Sequence, residues 1–173
     1  MILPEFSHVV PLSEIGLKAV HHKLLANDAE RTALAKRFGL TALDSLTAEV
    51  ALSSDDVGII ATGSLTAEVK QTCVASGVPV AATIAEPFAI RFLAEPIYEP
   101  DAEIELAVDD CDNMFHDGRV IDLAEAVAQT LALAINPFPR SPDAEAILKE
   151  AGVKDEHAAG PFAALAALRK GAD

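Results

Sequence analysis

Apolar residues recur along this chain with two different periods. Between Thr41 and Pro96 they alternate with polar or small residues. In SLTAEVALSS, Leu46, Ala48, Val50 and Leu52 share one face, and Thr47, Glu49, Ala51 and Ser53 the other. SLTAEVKQTC alternates in the same way, with Leu65, Ala67 and Val69 opposing Thr66, Glu68 and Lys70. Successive side chains of an extended chain point to opposite faces, so both stretches predict strands with one buried face. The string SLTAEV starts at Ser45 and again at Ser64, with SSDDVG between the copies as turn material. Nothing outside the six residues matches, so the pair reads as convergence of neighbouring strands in a hairpin or meander rather than as a repeat architecture. DVGIIATG lengthens the second strand, and VPVAATI and FAIRFL predict a further strand pair broken at Glu86-Pro87.

A spacing of three to four marks the helices. NDAERTALAKRFGL carries a cap at Asn27 or Asp28, Glu30 in its first turn, Lys36 and Arg37 in its last and Gly39 as its stop, with Leu34 and Phe38 pointing inward together. In LAEAVAQTLALAI, Leu123, Val127, Leu131 and Ile135 lie four apart among alanines, which predicts a largely buried helix. Asp122 and Glu125 begin it as an acidic capping box, and Pro137 and Pro139 end it. A short helix is expected over Pro142–Ala151, capped by Ser141 and closed by Gly152. VKDEHAAG then reads as a tether, and PFAALAALRKGAD as a terminal helix too short to stand alone in water. Residues 1–15 read as an extended segment with Pro11 at an edge. Residues 95–118 read as one edge strand, in AEIELAV, followed by a loop ending at Asp117-Gly118. The fold class is therefore α+β, a mainly antiparallel sheet packed against a buried apolar helix. A single domain is expected over 1–140, with a helical C-terminal extension over 141–173.

Composition narrows the function. Apolar residues make up 51% of the 173 and the chain has no tryptophan, so an aliphatic core is expected and disorder throughout is excluded. The longest apolar run falls short of a membrane span, no secretory leader is visible in MILPEFSHVVPL, and the two cysteines are far apart; the expectation is a cytoplasmic protein with reduced thiols. The formal net charge of −14 is unevenly spread. From Glu95 to Glu125 there are eleven carboxylates against Arg119 alone, Asp101, Glu103, Glu105, Asp109, Asp110 and Asp112 among them. So acidic a chain repels phosphate backbones and suits a basic protein partner, or simply keeps an apolar protein soluble.

The chain shows no phosphate-cradling glycine loop and no serine-nucleophile motif. DDCDNMFHDG fails the calcium-loop spacing, because Met114 and Phe115 stand where an oxygen ligand and a glycine are needed. Cys111 and His116 supply two zinc ligands where four are required, so no metal and no cofactor is expected. Lys18, His21, His22, Lys23, Arg31, Lys36 and Arg37 gather positive charge in the first forty residues and offer a phosphate-facing patch. Cys73 shares a strand face with Leu65, Ala67, Val69 and Gln71, where a free cysteine serves as a small hydrophobe; nucleophilic catalysis would require a histidine beside it in a cleft.

Three stretches resemble the YceD family, the large ribosomal RNA subunit accumulation proteins of bacteria. VKQTCVASGVPV is similar to its central motif, in which many members carry C-x-x-C. GRVIDLAEAVAQTLALAINPFPR is similar to its longest motif, and GPFAALAALRKG to its C-terminal signature. The match puts Lys70 at the first family cysteine and Cys73 at the second. With no cysteine in PRSPDAEAIL, Cys73 reads as the surviving half of a zinc site that this chain does not keep. The resemblance implies a non-enzymatic factor supporting accumulation of large-subunit (23S) ribosomal RNA. An acidic face would bind a basic ribosomal protein or pre-ribosomal particle, with Phe162, Leu165, Leu168, Arg169 and Lys170 as a tethered anchor. The alternative is an RNA-binding cofactor of rRNA processing that uses the basic patch.

Overall fold

A computed structural model describes residues 5–95 and 113–153. At its centre lie two long strands, β3 (Ala42–Ser54) and β4 (Ile59–Thr72), paired antiparallel. Their register explains the duplicated string. Thr47 stands opposite Thr66, Leu46 opposite Ala67 and Ala48 opposite Leu65, with Ser45 facing Glu68 and Glu49 facing Ser64. The two SLTAEV copies are thus related by a local two-fold axis through the threonine pair. On the buried face each leucine meets an alanine, so large packs against small twice over. Gly63 lies opposite Val50, where any Cβ would run into the Glu49 carbonyl; glycine is the residue that permits this approach.

The hairpin turn is built on Asp55, whose carboxylate accepts the N–H groups of Val57 and Gly58 and a two-oxygen contact from Arg91 at 2.8 and 2.7 Å. Hydrogen bonding from Arg91 first, and then from Gly58 and Val57, holds that carboxyl down to about 2.

Among the described residues three further strands join the sheet, in the order β2-β3-β4-β5-β6. The edge strand β2 (Val20–Leu25) contains the HHK triplet and pairs antiparallel with β3. β5 (Pro79–Ala94) runs unbroken through Glu86-Pro87, where the sequence predicts an interruption. β6 (Asn113–His116) pairs with β5 at Arg91–Ala94 alone, so among the described residues Pro87 sits where β5 has one neighbour and its missing N–H breaks no second ladder. β6 lies in what was expected to be loop, and its pairing with β5 is parallel, so the sheet is mixed. A separate ribbon joins β1 (Val9–Pro11) antiparallel to β7 (Val120–Asp122).

The first helix, α1 (Asp28–Arg37), has the expected capping box, with the Asn27 side chain accepting from Ala29 and Glu30 and the Glu30 carboxylate from the Asn27 N–H. In α2 (Leu123–Ala134) Asp122 caps alone, accepting from Ala124 and Glu125, while Glu125 turns to Arg37 and Gln129 instead of closing a box. Leu123, Val127 and Leu131 of α2 belong to the same buried cluster as Leu46, Val50, Leu65 and Val69 of the sheet. α3 (Ala144–Glu150) starts two residues later than predicted, with Asp143 rather than Ser141 at its N-cap; Gly152, with φ of 82°, closes it as expected. The chain divides into two compact units, Met1–Gln71 with Ala81–Pro137, and Thr72–Val80 with Phe138–Asp173.

Candidate functional site

Cys73 lies in the smaller unit, in a turn closed by Cys73 N–H to Val78 O at 2.8 Å and by Gly77 N–H to Cys73 O at 3.0 Å. Gly77 takes φ of 74°, which suits glycine. The side chain is 2% exposed, but it sits in this turn, past the end of β4 at Thr72, and not on the strand as expected. Its sulfur accepts the Ser76 N–H at 3.4 Å and the Ser141 N–H at 3.3 Å, and the two serine hydroxyls stand 3.4 Å apart. Val74 N–H to Pro139 O at 2.9 Å fastens the same two stretches together. Hydrogen bonds to sulfur, that of the Ser76 side chain foremost and that of the Ser141 N–H next, hold the thiol down to about 6 against the opposing effect of burial.

The group beside Cys73 is therefore Ser76, three residues on. Lys70, matched above to the first family cysteine, faces the other side of β4 and pairs with Asp44 at 2.7 Å. A thiol with two serine hydroxyls is a poor donor set for zinc, which takes thiolate and imidazole. Among the described residues no three His, Cys, Asp or Glu side chains come together as metal ligands. The bonded partners of the sulfur are serines, which do not serve as general bases near neutral pH.

The basic residues of the first forty positions are spread over β2, α1 and the segment before β2, and several are already engaged. Lys23 pairs with Glu49 at 3.5 Å, and Arg31 binds Asp28 and the Ala26 carbonyl. Arg37 makes a two-pronged contact with Glu125, 2.8 Å on each arm, and reaches Glu5 at 3.5 Å. Hydrogen bonding to Glu125 raises the Arg37 pKa and lowers that of Glu125. His22 bonds His8, while Lys18, His21 and Lys36 are exposed.

The acidic stretch is likewise mixed in its uses. Asp117 holds the turn before β7 through the N–H groups of Arg119 and Val120, Asp122 caps α2 and Glu125 binds Arg37. Asp101, Glu103, Glu105, Asp109, Asp110 and Asp112 lie outside the described residues, as do Phe162, Leu165, Leu168, Arg169 and Lys170. Unforeseen in the sequence is a groove of about 400 Å³ with Phe88, Ile90, Met114, Thr130 and Leu133 in its lining. Its only sequence signal is Leu133, a leucine off the four-residue stripe of α2 and 89% exposed.

Residues 61–169 match the model of the YceD family, described as large ribosomal RNA subunit accumulation protein. The chain belongs to the YceD family. The YceD match begins inside β4 and takes in the Cys73 turn, β5, β6, β7, α2 and α3. It leaves out β1, β2, α1 and β3, and with them all seven groups of the basic patch. Comparison with curated proteins and with solved structures gives no match. Among the described residues no helix is long and apolar enough to cross a membrane.

Proposed function

We propose that this YceD-family chain is a non-enzymatic, cytoplasmic factor of ribosome biogenesis that supports accumulation of large-subunit ribosomal RNA. The observation that carries the proposal is the family match over 61–169. In this reading the acidic run binds a basic ribosomal protein or a pre-ribosomal particle, with Asp101, Glu103, Glu105, Asp109, Asp110 and Asp112 facing the partner. Opposite potentials orient such an encounter and speed it. Asp117, Asp122 and Glu125 of the same run are committed to a turn, a cap and an ion pair and take no part in this proposed contact. The C-terminal segment, with Phe162, Leu165, Leu168, Arg169 and Lys170, acts as the anchor of the complex. In this reading the domain expected over 1–140 is the scaffold that carries both.

The test is recovery of partners from lysate by the tagged protein, washed at low and high salt, beside a chain ending at Gly152 and one with Asp109, Asp110 and Asp112 changed to Asn. Basic large-subunit proteins should be retained at low salt and lost with either alteration. Recovery of ribosomal RNA that survives both alterations would overturn the acidic-face mechanism and move the contact to the basic patch. That patch has less to offer phosphate, since Lys23, Arg31 and Arg37 are each in ion pairs.

A further inference from the structure

The sequence singles out the HHK triplet, and the proposed function does not use its middle residue. His22 lies on the edge strand β2, opposite the buried Val50. Its Nδ1 stands 3.2 Å from Nε2 of His8, with the ring centroids 5.3 Å apart and the planes at 75°. His8 is itself fixed at both ends of its peptide. Its N–H donates to Asp122 Oδ1 at 2.8 Å, and its carbonyl accepts the Leu123 N–H at 3.0 Å. One imidazole–imidazole bond thus ties the capped start of α2, and the β1–β7 ribbon beside it, to the edge of the five-stranded sheet.

A bond between two ring nitrogens needs one N–H and one bare lone pair. The facing nitrogens therefore share a single proton. Two imidazolium rings would turn N–H against N–H and set like charges within a few ångströms of each other in a half-buried site. We propose that the His8–His22 contact is a one-proton clamp that opens on acidification and loosens the His8 end of the β1–β7 ribbon from the edge of β2.

The surroundings give the second proton little help. Burial first, and then the charge of His8, depress the His22 pKa, and Glu14 on the 3-10 turn after β1 opposes them more weakly. The Asp122 carboxylate is occupied by the N–H groups of His8, Ala124 and Glu125 and by the Ser7 hydroxyl. On β2 itself His21 is exposed, and Lys23 is paired with Glu49 of β3. The His22 pKa is lowered in the folded chain, so between that value and the ordinary one near 6.5 the unfolded or opened chain binds more protons. The clamp therefore holds above the ordinary imidazole range and weakens as pH falls below it.

The experiment is an NMR titration of the imidazole nitrogens, with hydrogen exchange of the Val9, Val10 and Val20–Leu25 amides measured at pH 7.5 and pH 5. His22 is expected to titrate below the ordinary imidazole range with a two-step curve coupled to His8. Each unit of depression shifts the open-to-closed ratio about tenfold at acid pH, so amide exchange, corrected for its intrinsic pH dependence, should rise from pH 7.5 to pH 5 by the factor that the titrated His22 depression sets. His22→Gln and, separately, His8→Gln should remove that rise, and His21→Gln should leave it in place as the control for general acid weakening. Independent titration of the two rings in the wild-type chain overturns the proposal even where a variant folds poorly. So does an acid response that survives both glutamine variants.

Discussion

Among the described residues the larger unit has two α-helices, similar in length and held in opposite ways. α1 buries two residues, Leu34 and Ala35, and is otherwise polar apart from Ala29 and Ala33; it has a capping box, Asp28 and Glu30 in its first turn and Lys36 and Arg37 in its last. α2 buries six residues, has a cap without a box, and carries no basic residue in its last turn. Local chemistry states where α1 begins and ends, because caps and end charges act within a turn. Burial holds α2, since apolar area removed from water exceeds what a cap contributes. The Arg37–Glu125 contact joins the two.

The sharpest way to separate them is Leu131→Ala, which removes a fully buried side chain from α2 and should destabilise by about 3 kcal/mol in chemical denaturation. A loss under about 1 kcal/mol would mean that α2 is held by something other than its apolar side. Asn27→Ala, which deletes the α1 cap, should lower stability by about 1 kcal/mol in the same assay. Were it to rival Leu131→Ala, the contrast between local and buried stabilisation would collapse.

A double-mutant cycle on Arg37→Ala and Glu125→Ala probes the bridge. The pair is about a third exposed, so solvent screening limits the expected coupling to about 0.5 kcal/mol at neutral pH. The Glu125 carboxyl lies below its ordinary 4.5 when folded, so the coupling should be full above that value and fade as pH falls through the lowered one. Coupling that persists unchanged into strong acid would show that the contact is packing rather than charge. Leu133→Gln, on the exposed side of α2, should change stability by no more than about 0.5 kcal/mol either way. A larger loss would show that the groove it lines is part of the core.

What could be read in advance follows the range of the forces involved. Asn27, Glu30 and Asp122 announce their caps because the donors they meet lie two or three residues away. The alternation of Leu46 to Leu52 and of Leu65 to Val69 showed the buried face, because the period of a strand is written residue by residue. β2 escaped because VHHKLL has no alternation of its own; it is a strand through six pairings with β3, 22 to 32 residues away in sequence. Pro87 misled for the same reason, since whether a proline breaks a strand depends on which neighbours that strand has.

The functional residues divide along the same line. Acidity, Cys73 among its apolar neighbours and the family motifs are properties of the chain alone, and the motifs carried the YceD resemblance. That Cys73 meets Ser76 and Ser141 rather than Lys70 required a turn and a segment sixty-eight positions apart to meet. The meeting of His8 with His22 and the disarming of Arg37 by Glu125 are decisions of the same kind. Composition and period set which faces are buried, because transfer from water is a property of each residue. Pairing between distant polar groups appears only when the buried faces have come together, since it is the closed core that fixes those groups within hydrogen-bonding distance.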